Sequence, residues 1–157
     1  MKNFFVCLLV FLCVAFYFNS ASAIEVKEVS AQKWLNAESF TLEANKDKIV
    51  VLEFWATWCP PCRASIPHLK EMSDKYKDKG VVFVSLTNED VSDKLIKFCN
   101  ANKMSWVIGL GSNSASDYGV RGIPHAFIIA DGKIKWEGHP MDKMDSVIDA
   151  VVAEKDK

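Results

Sequence analysis

The sequence is poor in what most functional classes require. Histidine occurs three times, at His68, His125 and His139, scattered and without the spacing of a metal site. Basic and acidic residues nearly cancel, 19 against 20, and no stretch gathers the basic ones into a stripe or cluster. That excludes the electrostatic footprint of a nucleic-acid binder. There is no internal repeat and no second block of different composition, so 157 residues suit a single domain.

Long apolar runs are also lacking. The longest, Phe4 to Phe18, has 15 residues where a bilayer span needs about 20. It follows Met1-Lys2-Asn3 and leads to Ala21-Ser22-Ala23, an A-x-A site. The pattern predicts a secretory signal peptide over 1–23, cleaved after Ala23, rather than a membrane anchor. A lipoprotein is disfavoured, because neither Cys7 nor Cys13 follows the small residues expected before a lipidated cysteine. Export places residues 24–157 where disulfides are permitted. Lys2 is the one charge lost with the leader, which leaves 18 basic against 20 acidic residues. Cys59, Cys62 and Cys99 remain, and an odd count excludes a fully paired structural framework.

What is present is a globular composition, 50% hydrophobic and 25% charged. Ile24–Val29 alternates and predicts a weak first strand. Ser30 suits the N-cap of a short helix over Ala31–Asn36, with Trp34 and Leu35 inward. Glu38–Leu42 fits a short extended piece. Ile49–Trp55 is a β-branched and aromatic run, interrupted by Glu53, of the kind found in central strands covered on both faces. A helix follows to about Lys79, with a kink expected at Pro67 and Gly80 just past its end. Val81–Leu86 predicts a second buried strand, Val91–Ala101 a helix, and Trp106–Leu110 a short strand. A helical turn is expected around Asp117 and Tyr118. Ala126–Ile129 and Lys133–Trp136 flank Asp131-Gly132, a hairpin turn signal. Met141–Val152 has the spacing of an amphipathic closing helix. Strands and helices alternate and end in a hairpin and a helix, which predicts an α/β fold with a mixed central sheet flanked by helices.

The chain is organised around Phe54-Trp55-Ala56-Thr57-Trp58-Cys59-Pro60-Pro61-Cys62. Two cysteines two residues apart close a small disulfide or hold a metal. A strand that feeds them onto the first turn of a helix favours redox chemistry, because free N–H groups and the helix dipole stabilise a thiolate there. A zinc pair needs two further ligands, which the scattered histidines do not supply.

Trp58-Cys59-Pro60-Pro61-Cys62 after Phe54-Trp55-Ala56, with Val120-Arg121-Gly122-Ile123-Pro124 about sixty residues later, resembles the thioredoxin superfamily. The signal peptide and the wording of the first motif look like its exported TlpA/ResA/DsbE-type thiol–disulfide oxidoreductases. The resemblance covers residues ~30–153 and implies a thioredoxin fold. It departs at Ser65, where many of those proteins carry glutamate. No Pro-x-x-x-Thr-x-x-Cys pattern supports a peroxiredoxin. Too little chain separates Leu86 from Trp106 for the inserted helical domain of a DsbA type.

The resemblance implies roles residue by residue. Cys59, with a lowered pKa, attacks a partner disulfide, and Cys62 resolves the mixed disulfide. Pro60 and Pro61 stiffen the loop between them. Glu53, six residues before Cys59, matches the buried acid of thioredoxin and implies a proton acceptor for Cys62 with a raised pKa. Ile123-Pro124 implies a cis peptide facing the cysteines, with the backbone of Ile123 holding substrate as an added strand. Trp58 implies an exposed docking aromatic. Trp55 and Phe54 read as core and Cys99 as a buried helix thiol. His125 reads as a loop histidine, with a near-neutral titration that tunes the site as the second reading. The implied function is reduction of disulfides in exported partner proteins, including apocytochrome c, by a monomer fed from a membrane thiol donor, with no cofactor and no metal. The alternatives are a disulfide oxidase or isomerase, and a copper metallochaperone on the same scaffold. Against the last, Sco-type copper proteins place three residues between their cysteines.

Overall fold

The computed structural model describes residues 25–155, so the expected signal peptide lies outside the described residues. Among the described residues, six strands and three α-helices follow one another as β1 (Lys33–Leu35), β2 (Ile49–Phe54), α1 (Pro60–Tyr76), β3 (Val81–Thr87), α2 (Asp93–Ala101), β4 (Val107–Leu110), β5 (His125–Ala130), β6 (Lys133–Gly138) and α3 (Met144–Lys155). The strands form one sheet in the order β1-β4-β3-β2-β5-β6. β2 runs parallel to β3, and β3 to β4; β5 and β6 complete one edge antiparallel, and β1 closes the other antiparallel to β4. The mixed sheet and the single α/β domain agree with the sequence expectation.

The period of two along β2 divides its side chains between two cores. Ile49, Val51 and Trp55 join Ile66, Leu69, Leu95, Cys99, Met144 and Ile148, so all three helices pack on one face. Val50, Leu52 and Phe54 join Val84, Leu86, Phe127 and Ile129 on the other face. That face is covered by Val29, Phe40, Leu42 and Tyr118 from irregular segments. Every residue of β2 is buried, which is why its pattern is a run rather than an alternation.

The N-terminal expectations are corrected. Residues 25–29 form no strand, because the Glu28 carboxylate holds this segment instead, accepting from the backbone N–H groups of Val29, Leu42 and Glu43. Ala31–Asn36 is not a helix and Ser30 is not its cap. The backbone there pairs with the free edge of β4, Trp34 opposite Gly109, and the Ser30 N–H donates to Ser114 Oγ. Asn36 then turns to a φ of 63° while its side-chain amide donates to the carbonyls of Met104 and Trp106. Tertiary pairing overrides a weak helical spacing at an edge that would otherwise stay unpaired. Glu38–Leu42 is not a strand either; Phe40 and Leu42 are buried, and a 3-10 turn over Glu43–Asn45 follows.

The remaining differences lie at element ends. Ser92 Oγ accepts from the Leu95 N–H and caps α2, which therefore starts two residues after Val91. Lys143 has a φ of 54° and delays α3 to Met144, leaving Met141 exposed in the preceding turn. Pro67 lies inside α1 with its side chain exposed. Asp131 and Gly132 both take positive φ, 53° and 68°, in the tight β5–β6 turn, the geometry that favours this residue pair.

Gly109 shows how closely β1 lies on β4. A Cβ there would come within 2.5 Å of Leu86 Cδ2 and 2.9 Å of both Ala31 Cβ and Trp34 Cζ3. Gly109→Ala is expected to destabilise the protein by about 1–3 kcal/mol through overpacking, measured as a lower urea midpoint with an unchanged slope.

Candidate active site

β2 ends at Phe54, and the chain turns through Ala56–Trp58 to reach α1. The Trp55 N–H donates to the Leu86 carbonyl, 3.0 Å, and the Cys59 N–H to the Ala56 carbonyl, 3.3 Å. The Glu89 carboxylate, beyond the end of β3, fixes the turn. It accepts from Thr57 N and Thr57 Oγ1, each at 2.6 Å, and from Thr87 Oγ1 at 3.2 Å. The sequence reading passed over Glu89; its only signal was its place in a polar turn after a buried strand.

Cys59 is the N-cap of α1, in extended conformation. Pro60 and Pro61 occupy the first helical positions, which lack intrahelical donors' partners in any case and tolerate a missing N–H. The Cys62 N–H is therefore the first donor of the helix, and it points at the Cys59 sulfur, 3.2 Å away. Cys59 and Cys62 are joined as a disulfide. Cys59 is 3% exposed and Cys62 0%, while Trp58 beside them is 68% exposed. Across from the pair, Ile123-Pro124 is a cis peptide, and the Ile123 carbonyl oxygen lies 3.7 Å from Cys59 Sγ. Phe54, Trp58, Val120 and Ile123 line a groove along this edge. His125, next in the chain, pairs with Glu137 of β6 at 3.3 Å and packs on Phe127, with ring centroids 4.9 Å apart. It faces the β6 strand rather than standing free in a loop.

Glu53 is 2% exposed on the helix-covered face of the sheet. It stands opposite Ser85 on β3 and Ala126 on β5. The Ser85 hydroxyl donates to Glu53 Oε2 at 2.5 Å, and Trp106 Nε1 donates to Ser85 Oγ at 2.8 Å. Glu53 Oε1 has no protein partner. Burial pushes the Glu53 carboxyl up to about 7, with the Ser85 hydrogen bond acting in the opposite direction. Ser85 and Trp106 were missed in sequence because only strand register brings them to Glu53. Cys99 is buried in α2, and burial pushes its thiol up to about 11, so it is no source of thiolate near neutrality. No cluster of metal-ligating side chains occurs among the described residues.

A disulfide at a helix N-terminus, faced by a cis-proline loop on this mixed sheet, defines a thioredoxin-fold protein with a dithiol–disulfide centre. A family model described as Redoxin matches residues 22–152. The chain belongs to the Redoxin family, within the thioredoxin superfamily, and is TlpA/ResA/DsbE-like. It is similar to the thiol-disulfide oxidoreductase ResA of Bacillus thuringiensis (strain Al Hakam), 33% identical over 103 residues, 64% of this chain and 60% of that one. The thioredoxin-like protein YneN of Bacillus subtilis (strain 168) is 34% identical over 100 residues, 62% of this chain and 59% of that one. The match thus spans about 60% of the length of these curated relatives. Among solved structures, a putative thiol:disulfide interchange protein DsbE from Chlorobium tepidum superposes with a TM-score of 0.72 at 27% identity, covering 83% of this chain and 96% of that one.

The raised carboxyl makes stability depend on pH in a stated direction. Unfolded, Glu53 titrates near 4.5; folded, near 7. Folding therefore binds a proton between these values, and stability falls as pH rises through that window and is flat outside it. Glu53→Gln removes the effect. Its stability relative to the parent is expected to improve by about 3 kcal/mol between pH 4 and pH 8, read from denaturant unfolding at each pH.

Proposed function

We propose that this chain is an exported thiol–disulfide oxidoreductase that reduces disulfides in partner proteins through Cys59 and Cys62. The single observation that carries the reading is the Cys59–Cys62 disulfide at the start of α1, opposite the Ile123-Pro124 cis peptide. In the reduced protein the Cys59 thiolate attacks one sulfur of a partner disulfide. A mixed disulfide forms and the first partner thiolate leaves. Cys62 then gives up its proton and attacks Cys59 Sγ, which releases the second partner thiolate and restores the Cys59–Cys62 disulfide. Two electrons pass to the partner, and a dithiol donor must return them.

The chain's own residues serve each step. The Cys62 N–H and the N-terminal end of α1 stabilise negative charge on Cys59. An ionised Glu53 takes the Cys62 proton during resolution, and its pKa near 7 suits that exchange. The Ile123 carbonyl and the groove beside it offer an edge for an extended partner segment, and Trp58 gives the partner an exposed aromatic. Pro60 and Pro61 keep the first turn stiff. The relatives' names, thiol-disulfide oxidoreductase and thioredoxin-like protein, support exchange of thiols and disulfides. On this reading residues 1–23 are a signal peptide cleaved after Ala23, residues 24–157 are the working domain, and the protein acts as a monomer. Its partners are exported proteins such as apocytochrome c, and a membrane thiol carrier supplies electrons.

The test is turbidimetric reduction of insulin with a dithiol donor. The parent is expected to be active, Cys59→Ser inactive, and Cys62→Ser to accumulate mixed disulfides. Glu53→Gln should retain the fold and slow turnover by about 10–100-fold. Activity that survives Cys59→Ser refutes the reading. A reduction potential near about −270 mV supports a reductase, and one near about −120 mV an oxidase.

A further inference from the structure

An indole N–H can donate a hydrogen bond but not accept one in the ring plane. That asymmetry orders the buried chain of Trp106, Ser85 and Glu53. Trp106 Nε1 lies 2.8 Å from Ser85 Oγ, so the serine oxygen must accept there. Ser85 Oγ lies 2.5 Å from Glu53 Oε2, the acceptor in reach of its own hydrogen. With the proton placed on Oε2 instead, Ser85 would accept from two donors and its hydroxyl hydrogen would be buried without an acceptor. Buried donors are rarely left so. Oε2 thus remains an acceptor whether the carboxyl is charged or neutral.

We propose that Ser85 and Trp106 are positioning residues that confine the exchangeable proton of Glu53 to Oε1, the oxygen left free to trade it with Cys62. The inference rests on the reading of Glu53 as the proton acceptor for Cys62. Its geometry stands on three side chains from β2, β3 and the segment before β4, and on a carboxylate oxygen that is buried with no protein partner. The titratable side chains in the same cluster are Tyr76 of α1 and Cys99 of α2, joined by Cys59 and Cys62 once their disulfide is reduced. α3 contributes Met144, Ile148 and Val151, and β5 contributes Ala126, Ile128 and Ala130. No other charged residue is buried among the described residues. The direction in which Ser85 acts on the carboxyl, favouring its ionised form, follows from donation to Oε2. The arrangement leaves the carboxyl with one oxygen for anchorage and one for chemistry.

The experiment is infrared spectroscopy of the full chain in its disulfide form at a pH where Glu53 is protonated. The carboxyl C=O band of Glu53 is the one that Glu53→Gln removes. Ser85→Ala takes a donor from the carbonyl oxygen, so the band is expected to move to higher frequency, and Ser85→Thr should return it. Trp106→Phe frees a lone pair on Ser85, lets the hydroxyl turn, and should split the single band in two. In parallel, the pH midpoint of insulin reduction should rise by about one unit in Ser85→Ala and recover in Ser85→Thr. A band that stays put or falls in Ser85→Ala, or a single unshifted band in Trp106→Phe, overturns the proposal. Trp106→Phe alone decides it if Ser85→Ala does not fold. If Glu53→Gln turns over as fast as the parent, the underlying role of Glu53 fails. If Glu53→Gln is slow while the band ignores Ser85 and Trp106, only the positioning fails.

Discussion

Strand β2 is buried at all six of its residues, and the geometry of the proposed site depends on that burial. Hydrogen bonding to β3 on one side and β5 on the other leaves the strand no freedom to slide, since a one-residue slip would exchange its two side-chain faces. Its register puts Glu53 beside Ser85 and puts Phe54 opposite His125, the residue after Pro124. The same strand therefore fixes the carboxylate, the entry to Cys59 and the distance to the cis-proline loop. The cost is one carboxyl removed from water, and its raised pKa is the measure of that cost.

The helix supplies what the strand cannot. Two prolines at the head of α1 mean that the first backbone N–H available is that of Cys62, and it points at the Cys59 sulfur. A sulfur occupies the place where serine or aspartate oxygen caps an ordinary helix. Capping and reactivity are then one property, because the donor that ends the helix is also the donor that favours a thiolate. Glu89, outside the motif, keeps the approach to this cap in place by gripping Thr57 through both its N–H and its hydroxyl.

Elements that bury a strong pattern were legible in the sequence, and elements that answer to a partner were not. β2 and β3 declared themselves as apolar runs, and the β5–β6 turn as Asp131-Gly132, because local chemistry and final environment agree there. The segment from Ile24 to Leu42 misled. Its weak alternation and a serine before Ala31 suggested a strand and a helix, but the exposed edge of β4 and the Glu28 carboxylate decided its path. At the site, Cys59, Cys62 and Pro124 stood out by motif and Glu53 by its oddity in an apolar run. Ser85, Trp106 and Glu89 carry no motif. They become visible only when register and the turn after β3 bring them within hydrogen-bonding distance.

The placement of the buried acid on a strand has a consequence of its own. Ser65, three residues after the second cysteine in α1, is fully buried and donates to the Cys62 carbonyl at 2.8 Å. The buried acid among the described residues belongs to the sheet. An acid on the helix would move with the cysteines it serves. Glu53 is instead anchored to β3 through Ser85, so the proposed proton acceptor and the proposed nucleophile are held by different elements. Their alignment is then set by how α1 packs on β2 and β3, through Ile66, Leu69 and Phe83. On the proposed mechanism, core packing and proton transfer become one constraint in this chain.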